Sequence, residues 1–284
     1  MTSNSHISVL LTESIHELGV FADGKYIDAT LGFGGHSEAI LAKGGKVLGI
    51  EADEKMIAFS EERLKNYCPT LVQGNFKDIQ KIATENGFLE ANGVLFDLGI
   101  SSLHYSDLNR GFSFRNGDEM LDMRLSTETM AVTAAQLLNV LSVAQLTELF
   151  VEILGKGKAL RISKAIAKAR ENKQFLKVSD LTEVVHESLP EVFLSLRIAV
   201  NSEYQSIEEG LAGALSVIKM GGRIVAISFH SLEDKLVHGL FRKWEKAGIG
   251  VYKTHTPIVP DSEEIEVNAR SRSALMRVFT KTSD

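Results

Sequence analysis

Over the first hundred residues, short apolar runs alternate with stretches of helical periodicity. Tyr26–Ala29, Lys46–Ile50, Thr70–Gln73 and Gly93–Phe96 read as strands, and Ser37–Ala42, Glu54–Lys65 and Phe76–Asn86 as the helices between them. Apolar runs this short, set between amphipathic helices, predict parallel strands joined by βαβ crossovers. From about Leu108 to Val200 the alternation stops. That stretch reads as helical over Thr133–Leu138, Val143–Leu154, Ala159–Glu171 and Ser179–Leu189. The α/β rhythm returns near Ser202. A helix over Tyr204–Lys219 is closed by Gly221-Gly222, a buried strand covers Arg223–Ser228, and a helix covers Leu232–Lys246. Gly250–Lys253 and Ala274–Lys281 read as the arms of a hairpin. The pattern therefore predicts an α/β fold: a Rossmann-like seven-stranded sheet, interrupted after strand four by an inserted helical subdomain. Residues 1–107 and 201–284 form the α/β domain in this reading, and 108–200 the insertion. There are no internal repeats or low-complexity tracts.

Composition narrows the picture. Cys68 is the single cysteine, which excludes an internal disulfide framework and argues against a cysteine-based zinc site. The eight histidines show no ligand-like spacing, so no metal is expected. The polar start Met1-Thr-Ser-Asn-Ser-His6 does not read as a signal peptide, and no apolar stretch approaches the roughly 20 residues of a membrane span. A cytoplasmic protein without membrane partners is expected. The net charge of −6 argues against indiscriminate coating of nucleic acid. Charge is unevenly spread, however. Residues 153–177 hold eight Lys or Arg against one acid, Glu171, and Arg161, Lys164 and Lys168 share the spacing of one helical face. A solvated helix face and a phosphate-binding face both fit that run. Arg270, Arg272 and Arg277 form a second basic group.

Candidate chemistry gathers where strands end. Gly32, Gly34 and Gly35 lie between the first strand and the first helix, where a tight turn can bring backbone close to a ligand. Glu51 directly follows the second strand, where a carboxylate can accept hydrogen bonds from both hydroxyls of a ribose. An acid capping the next helix would look the same. The dinucleotide fingerprint wants a third glycine where Ser37 stands, which turns the reading from nicotinamide toward adenosylmethionine. Phe76, after strand three, fits an adenine contact or plain core. Asp97, after strand four, is harder to explain as core.

Several unusual strings occur together and in order: LGFGGHS (31–37), DLGISS (97–102), RGFSFR (110–115), LDMR (121–124), LRIAVN (196–201), GGRIVAISFHSLED (221–234) and ARSRSALMR (269–277). From about His6 to Lys281 the chain closely resembles the bacterial 16S ribosomal RNA cytosine-N4 methyltransferase family. The resemblance implies a seven-stranded methyltransferase sheet carrying a helical insertion, with S-adenosyl-L-methionine as cofactor. It implies 16S ribosomal RNA, within the small ribosomal subunit, as partner, and leaves monomer and dimer open. It maps cofactor contacts onto Gly34, Gly35, His36, Glu51, Phe76, Asp97 and His104. Two of these depart from the family, which usually has Asp at Glu51 and Gln at His104. A basic segment usual before Leu196-Arg-Ile is missing, since Leu189-Pro-Glu191 runs almost directly into Val192-Phe-Leu.

A cytosine amino group is a poor nucleophile, so it must be aligned with the methyl and its N–H groups must meet acceptors. Asp97, or the carbonyls beside it, is the candidate holder of that amino group. His230 and Asp234, past strand five, are candidates for positioning the base or its sugar; His230 equally fits a structural role. The inserted helices are the expected RNA-recognition element, and the target base has to leave its stack. Two other readings compete: methylation of DNA or a small molecule, and an assembly factor that binds ribosomal RNA without catalysis.

Overall fold

A computed structural model describes residues 7–101, 104–105 and 109–283. Ser102, the end of DLGISS, and Leu108, the expected start of the insertion, lie outside the described residues. Seven strands form one sheet: β1 (Lys25–Asp28), β2 (Lys46–Glu51), β3 (Thr70–Gln73), β4 (Ala91–Asp97), β5 (Ile218–Ser228), β6 (Gly250–Tyr252) and β7 (Leu275–Lys281). Their order is β3-β2-β1-β4-β5-β7-β6. The first five run parallel, and β7 inserts antiparallel between β5 and β6.

The near-continuous apolar character of the central strands has a direct cause: both faces are covered. Successive residues alternate between two cores. Ile27, Leu48, Ile50, Val94, Phe96, Ile224 and Ala226 enter one. Tyr26, Val47, Leu95, Val225 and Ile227 enter the other. Each large side chain so buried stabilises the sheet by about 1.5–3 kcal/mol.

The helices of this layered unit are α1 (Leu11–Leu18), α2 (Gly35–Ala42), α3 (Glu54–Leu64) and α4 (Ile79–Glu85) before the insertion. The helices of the inserted stretch are α5 (Ala134–Val140), α6 (Val143–Leu154), α7 (Lys156–Arg170), α8 (Val178–Thr182) and α9 (Leu189–Asn201). After it come α10 (Glu203–Val217), α11 (Ser231–Lys246) and α12 (Ser262–Val267). Contacts divide the chain into two compact units, 1–99 with 204–284, and 100–203. The first division lies eight residues before the 107/108 expected, and the second three residues after the 200/201 expected. Among the described residues, no helix is long and apolar enough to cross a membrane.

The helical unit has its own core, with Leu138, Leu146, Phe150, Ile162, Ile166 and Leu196 buried together. Capping boxes at Thr133/Gln136 and Ser142/Gln145 start α5 and α6 by satisfying free backbone N–H groups. Three of the sequence strings meet here. Arg110 Nη1 donates to the carbonyls of Arg124 and Leu125 (3.1 and 2.8 Å). Asn201 accepts from the Leu125 N–H and donates to the Met123 carbonyl, both at 2.8 Å. Arg124 holds Asp122 through Nε and Nη2, each at 2.7 Å. RGFSFR, LDMR and LRIAVN thus lock one irregular segment whose backbone lacks helix or sheet partners.

Three expected elements differ. The helix expected over Ser179–Leu189 is instead the short α8, a break at Ser188 in the left-handed region (φ 55°), and α9. Pro190 sits in the first turn of α9, where its missing N–H costs nothing, so it starts a helix rather than ending one. Gly221-Gly222 does not close α10. These residues lie within β5, where pairing jumps from Ala91 opposite Ile218 to Gly93 opposite Arg223. The helix expected from Phe76 opens as a 3₁₀ turn, with the Asn75 side chain accepting the Lys77 N–H at 3.0 Å.

Candidate cofactor and methyl-transfer site

The sheet reverses its winding between β1 and β4. From β1 the chain builds outward through β2 to β3, and from β4 through β5 the other way. The loops beyond β1 and β4 therefore leave the sheet in opposite directions and open a crevice at their carboxyl ends. Asp28 ends β1 and Asp97 ends β4, on strands paired in register up to Asp28 opposite Leu95.

After Asp28 the chain turns through the glycine loop into α2. Gly34 caps that helix at φ 75°, a left-handed conformation that an L side chain adopts only at a cost of about 1–2 kcal/mol. A Cβ on Gly35 would lie 2.1 Å from Ser8 Oγ, so the glycine lets the N-terminal segment lie against the loop. His36 secures the same segment, its ring Nε2–H donating to the Val9 carbonyl at 3.0 Å. The imidazole is buried, which pushes its pKa down to about 4 and keeps the ring neutral near pH 7.

Glu51, at the end of β2, reaches back over this loop. Its Oε2 accepts the Gly32 N–H at 2.9 Å, and its Oε1 accepts the Asp53 N–H at 3.0 Å. A carboxylate has about four lone-pair sites, so it can accept from more than these two N–H groups. The side chain is half-buried. Glu has the reach that lets it tie Gly32 while staying at the strand end.

Asp97 is in a different condition. Its backbone N–H meets Thr30 Oγ1 at 2.6 Å, its Oδ2 lies 3.8 Å from His36 Nδ1, and its Oδ1 is buried without a hydrogen-bond partner. The side chain is 21% exposed. Desolvation, then the nearby Asp28, Glu233 and Glu264 carboxyls, push its pKa up to about 8. Asp28 is fully enclosed, accepting from Ser37 Oγ at 2.7 Å and from the Thr30 N–H at 3.3 Å, and its burial raises its pKa to about 6. Asp28 and Thr30 were not singled out by the sequence reading, and Ser37 only as the place where a third glycine would stand. The available signal was positional: an acid ends β1 just as Glu51 ends β2 and Asp97 ends β4.

Phe76 is half-buried, edge-on to Phe96 with ring centroids 5.7 Å apart. A Cβ on Gly210 of α10 would fall 2.6 Å from its ring, so that glycine makes its seat. His104 belongs to the helical unit, where it is buried and edge-on to Phe112 at 5.3 Å. His230 sits past β5 as the N-cap of α11, its Nδ1 accepting the Glu233 N–H at 3.4 Å. Its Nε2 lies 3.0 Å from Glu233 Oε1 but off the line a hydrogen bond needs. Asp234 is spent on Arg277, whose Nε and Nη2 reach its two oxygens at 2.5 and 2.7 Å. Arg277 is buried and so leaves the second basic group.

A model of the MraW methylase family matches residues 3–282. The chain belongs to that family. Curated relatives agree: "Ribosomal RNA small subunit methyltransferase H" of Carboxydothermus hydrogenoformans is 39% identical over 309 aligned positions, covering 98% of each chain. The protein of the same description from Dictyoglomus thermophilum is 39% identical, covering 96% of this chain and 95% of its own. The first alignment is longer than the 284-residue chain, so this member lacks residues that its relative carries. NSun6 from Pyrococcus horikoshii matches at a TM-score of 0.50 and 12% identity, over 100% of this chain and 57% of that one, and shows the shared fold alone. For a family of methylases, the crevice beyond β1 and β4 is where the sheet's winding directs a cofactor.

Proposed function

We propose that this protein transfers a methyl group from S-adenosyl-L-methionine to the N4 amino group of a cytidine in 16S ribosomal RNA, acting in the cytoplasm on the small ribosomal subunit. The observation that supports the site most is the buried, unpartnered Oδ1 of Asp97 beside the glycine loop and Glu51. An acceptor left without a partner in a protein interior is costly unless a ligand completes it. The cofactor carries an ammonium, a sulfonium and a ribose diol, and the residues at these strand ends suit such a molecule.

When bound, the cofactor supplies an electrophilic methyl on sulfur. The protein's own residues do the rest. Gly34 makes the left-handed turn into α2, Gly35 leaves room for Ser8 against the loop, and His36 fixes the loop by holding Val9. Glu51 accepts from the ribose hydroxyls and Phe76 flanks the adenine. Asp97, or the carbonyls beside it, accepts from the cytosine N–H groups and so orients the nitrogen lone pair toward the methyl. Orientation of two bound reactants corresponds to effective molarities of about 10⁵–10⁸ M. His230 positions the base through the start of α11.

The helical unit supports the RNA-recognition reading, over a narrower face than the sequence alone gives. Arg161 is paired with Glu187, Lys173 with Asp180, and Arg170 caps the Leu138 and Leu141 carbonyls. Lys164 and Lys168 of α7 are exposed and have no ion-pair partner among the described residues. They are the groups best suited to phosphates flanking the target base.

The test is incubation with methyl-labelled adenosylmethionine and small subunits lacking the modification, followed by digestion to nucleosides and mass spectrometry. Label in N4-methylcytidine is expected. Cofactor binding without label in any ribosomal nucleoside would favour the binding-only reading, and label in DNA would favour another substrate.

A further inference from the structure

Three other carboxyl groups lie near enough to Asp97 to act on it as like charges, and no Lys or Arg side chain forms an ion pair with Asp97 among the described residues. Asp28 approaches from β1, Glu233 from α11 and Glu264 from α12, and each acts on Asp97 as a like charge. Three of the four are supplied with donors. Asp28 has Ser37 and Thr30, Glu233 Oε2 has the Phe229 N–H at 2.8 Å, and Glu264 Oε1 has the Leu10 N–H at 2.8 Å. Asp97 has none for its Oδ1.

Among the described residues His36, from α2, is the one basic group at ion-pair distance, and its tautomer matters. Because Nε2 must carry a proton to serve the Val9 carbonyl, the neutral ring turns a lone pair at Nδ1 toward Asp97 Oδ2, 3.8 Å away. A lone pair facing an ionised carboxylate is repulsive; facing a carboxylic acid it is not. The nearby Arg63 and the burial of the ring both oppose a second proton on His36. Charge, tautomer and the unpartnered oxygen all favour the acid form of Asp97.

We propose that Asp97 holds a proton in the cofactor-free protein and releases it when the cationic cofactor enters, so that adenosylmethionine uptake and deprotonation of Asp97 are one event. This rests on the cofactor site argued above. The positive charge of the cofactor replaces the proton as the counter-charge to the four carboxyls, and the proton passes to buffer. The released carboxylate is then the acceptor that the target amino group needs, so the site becomes competent only after the methyl donor has arrived.

The experiment is calorimetric titration of the full-length protein with adenosylmethionine at pH 7, in phosphate and in Tris, whose ionisation enthalpies differ widely. The dependence of the binding enthalpy on buffer counts the protons released. Close to one is expected at pH 7, falling toward zero at pH 9, with affinity weakening roughly tenfold per pH unit on the acid side. Asp97→Asn should bind without buffer dependence. As a check that needs no variant, the carboxyl carbon of Asp97 in ¹³C-aspartate-labelled protein should titrate well above the ordinary carboxylate range when free and be ionised at pH 7 in the complex. Binding with no proton release, or an Asp97 signal already ionised at pH 7 in the free protein, overturns the proposal and leaves the cofactor site standing. Absence of any adenosylmethionine binding overturns both.

Discussion

In the helical unit, the charged and amide side chains of the sequence strings end on partners of the same unit. Arg124 grips Asp122, Arg197 grips Glu203 with Nε and Nη2 along one edge of its guanidinium, and Asn201 bridges Met123 and Leu125. In the α/β unit the strand ends behave otherwise. Asp28 and Asp97 are held at pKa values far from the carboxylate norm, and one Asp97 oxygen is left without a donor. Both units contain short sequence strings of unusual composition. In one, the strings are internal locks that let an irregular segment hold its shape. In the other, they leave groups in an unfavourable state, which is the physical mark of a site whose missing partner is a ligand. An unusual string is therefore not evidence of chemistry until its side chains are seen to be unsatisfied.

The largest expected effect on that contrast is at Asp97. Asp97→Ala should lower kcat/KM for methyl transfer by roughly 10²-fold or more while the fold survives; near-normal turnover would remove the residue from the reaction. Arg197→Ala should do the opposite. It leaves Glu203 buried without its counter-charge, which costs about 3–5 kcal/mol and shows as a fall in melting temperature, with cofactor affinity of the folded protein little changed. A combined Lys164→Glu and Lys168→Glu change should weaken RNA binding several-fold and flatten its salt dependence, the slope falling by about 1 per lost phosphate contact. Arg161→Glu alone should do less, because Glu187 already offsets that charge.

The smallest effect is a pH dependence of the cofactor-free protein. With Asp28 raised to about 6 and Asp97 to about 8, the folded state holds more protons than the unfolded chain above the ordinary carboxyl range. Stability should therefore fall as pH rises through 6 to 8, by about 1.4 kcal/mol per pH unit at most for one group. His36, depressed to about 4, acts in the opposite sense and only below about pH 6.5. Thermal melts of the wild type against Asp97→Asn should show the slope flattening in the variant above pH 6.5.

The α/β unit was legible because its signals are local. Short apolar runs bounded by turn residues mark strands, and seven such runs predict the sheet. The arms of the final hairpin were equally plain. Pro190 was harder to place, since proline ends helices and also begins them, and only the break at Ser188 decides which. Among site residues, Glu51 could be placed from its position after β2. His230 could not, because its part in starting α11 depends on the Glu233 backbone turning back to it. Arg277 read as a surface charge from the sequence, although Asp234, 43 residues earlier, and the Tyr252 hydroxyl enclose it in the folded protein. Such long-range pairing leaves no trace in local spacing.

The central claim is that the crevice beyond β1, β2 and β4 holds the methyl donor, and Glu51 gives the sharpest handle on it. Glu51→Gln keeps the size of the side chain and, through its one amide oxygen, the tie to Gly32, but gives up the bond from the Asp53 N–H and removes the charge that strengthens its bonds to a ribose diol. Titrating wild type and variant with adenosylmethionine at pH 7 should show about 10- to 100-fold weaker binding in the variant, the equivalent of a charge-assisted bond contributing about 1.5–3 kcal/mol. Equal affinities would place the cofactor elsewhere and contradict the account.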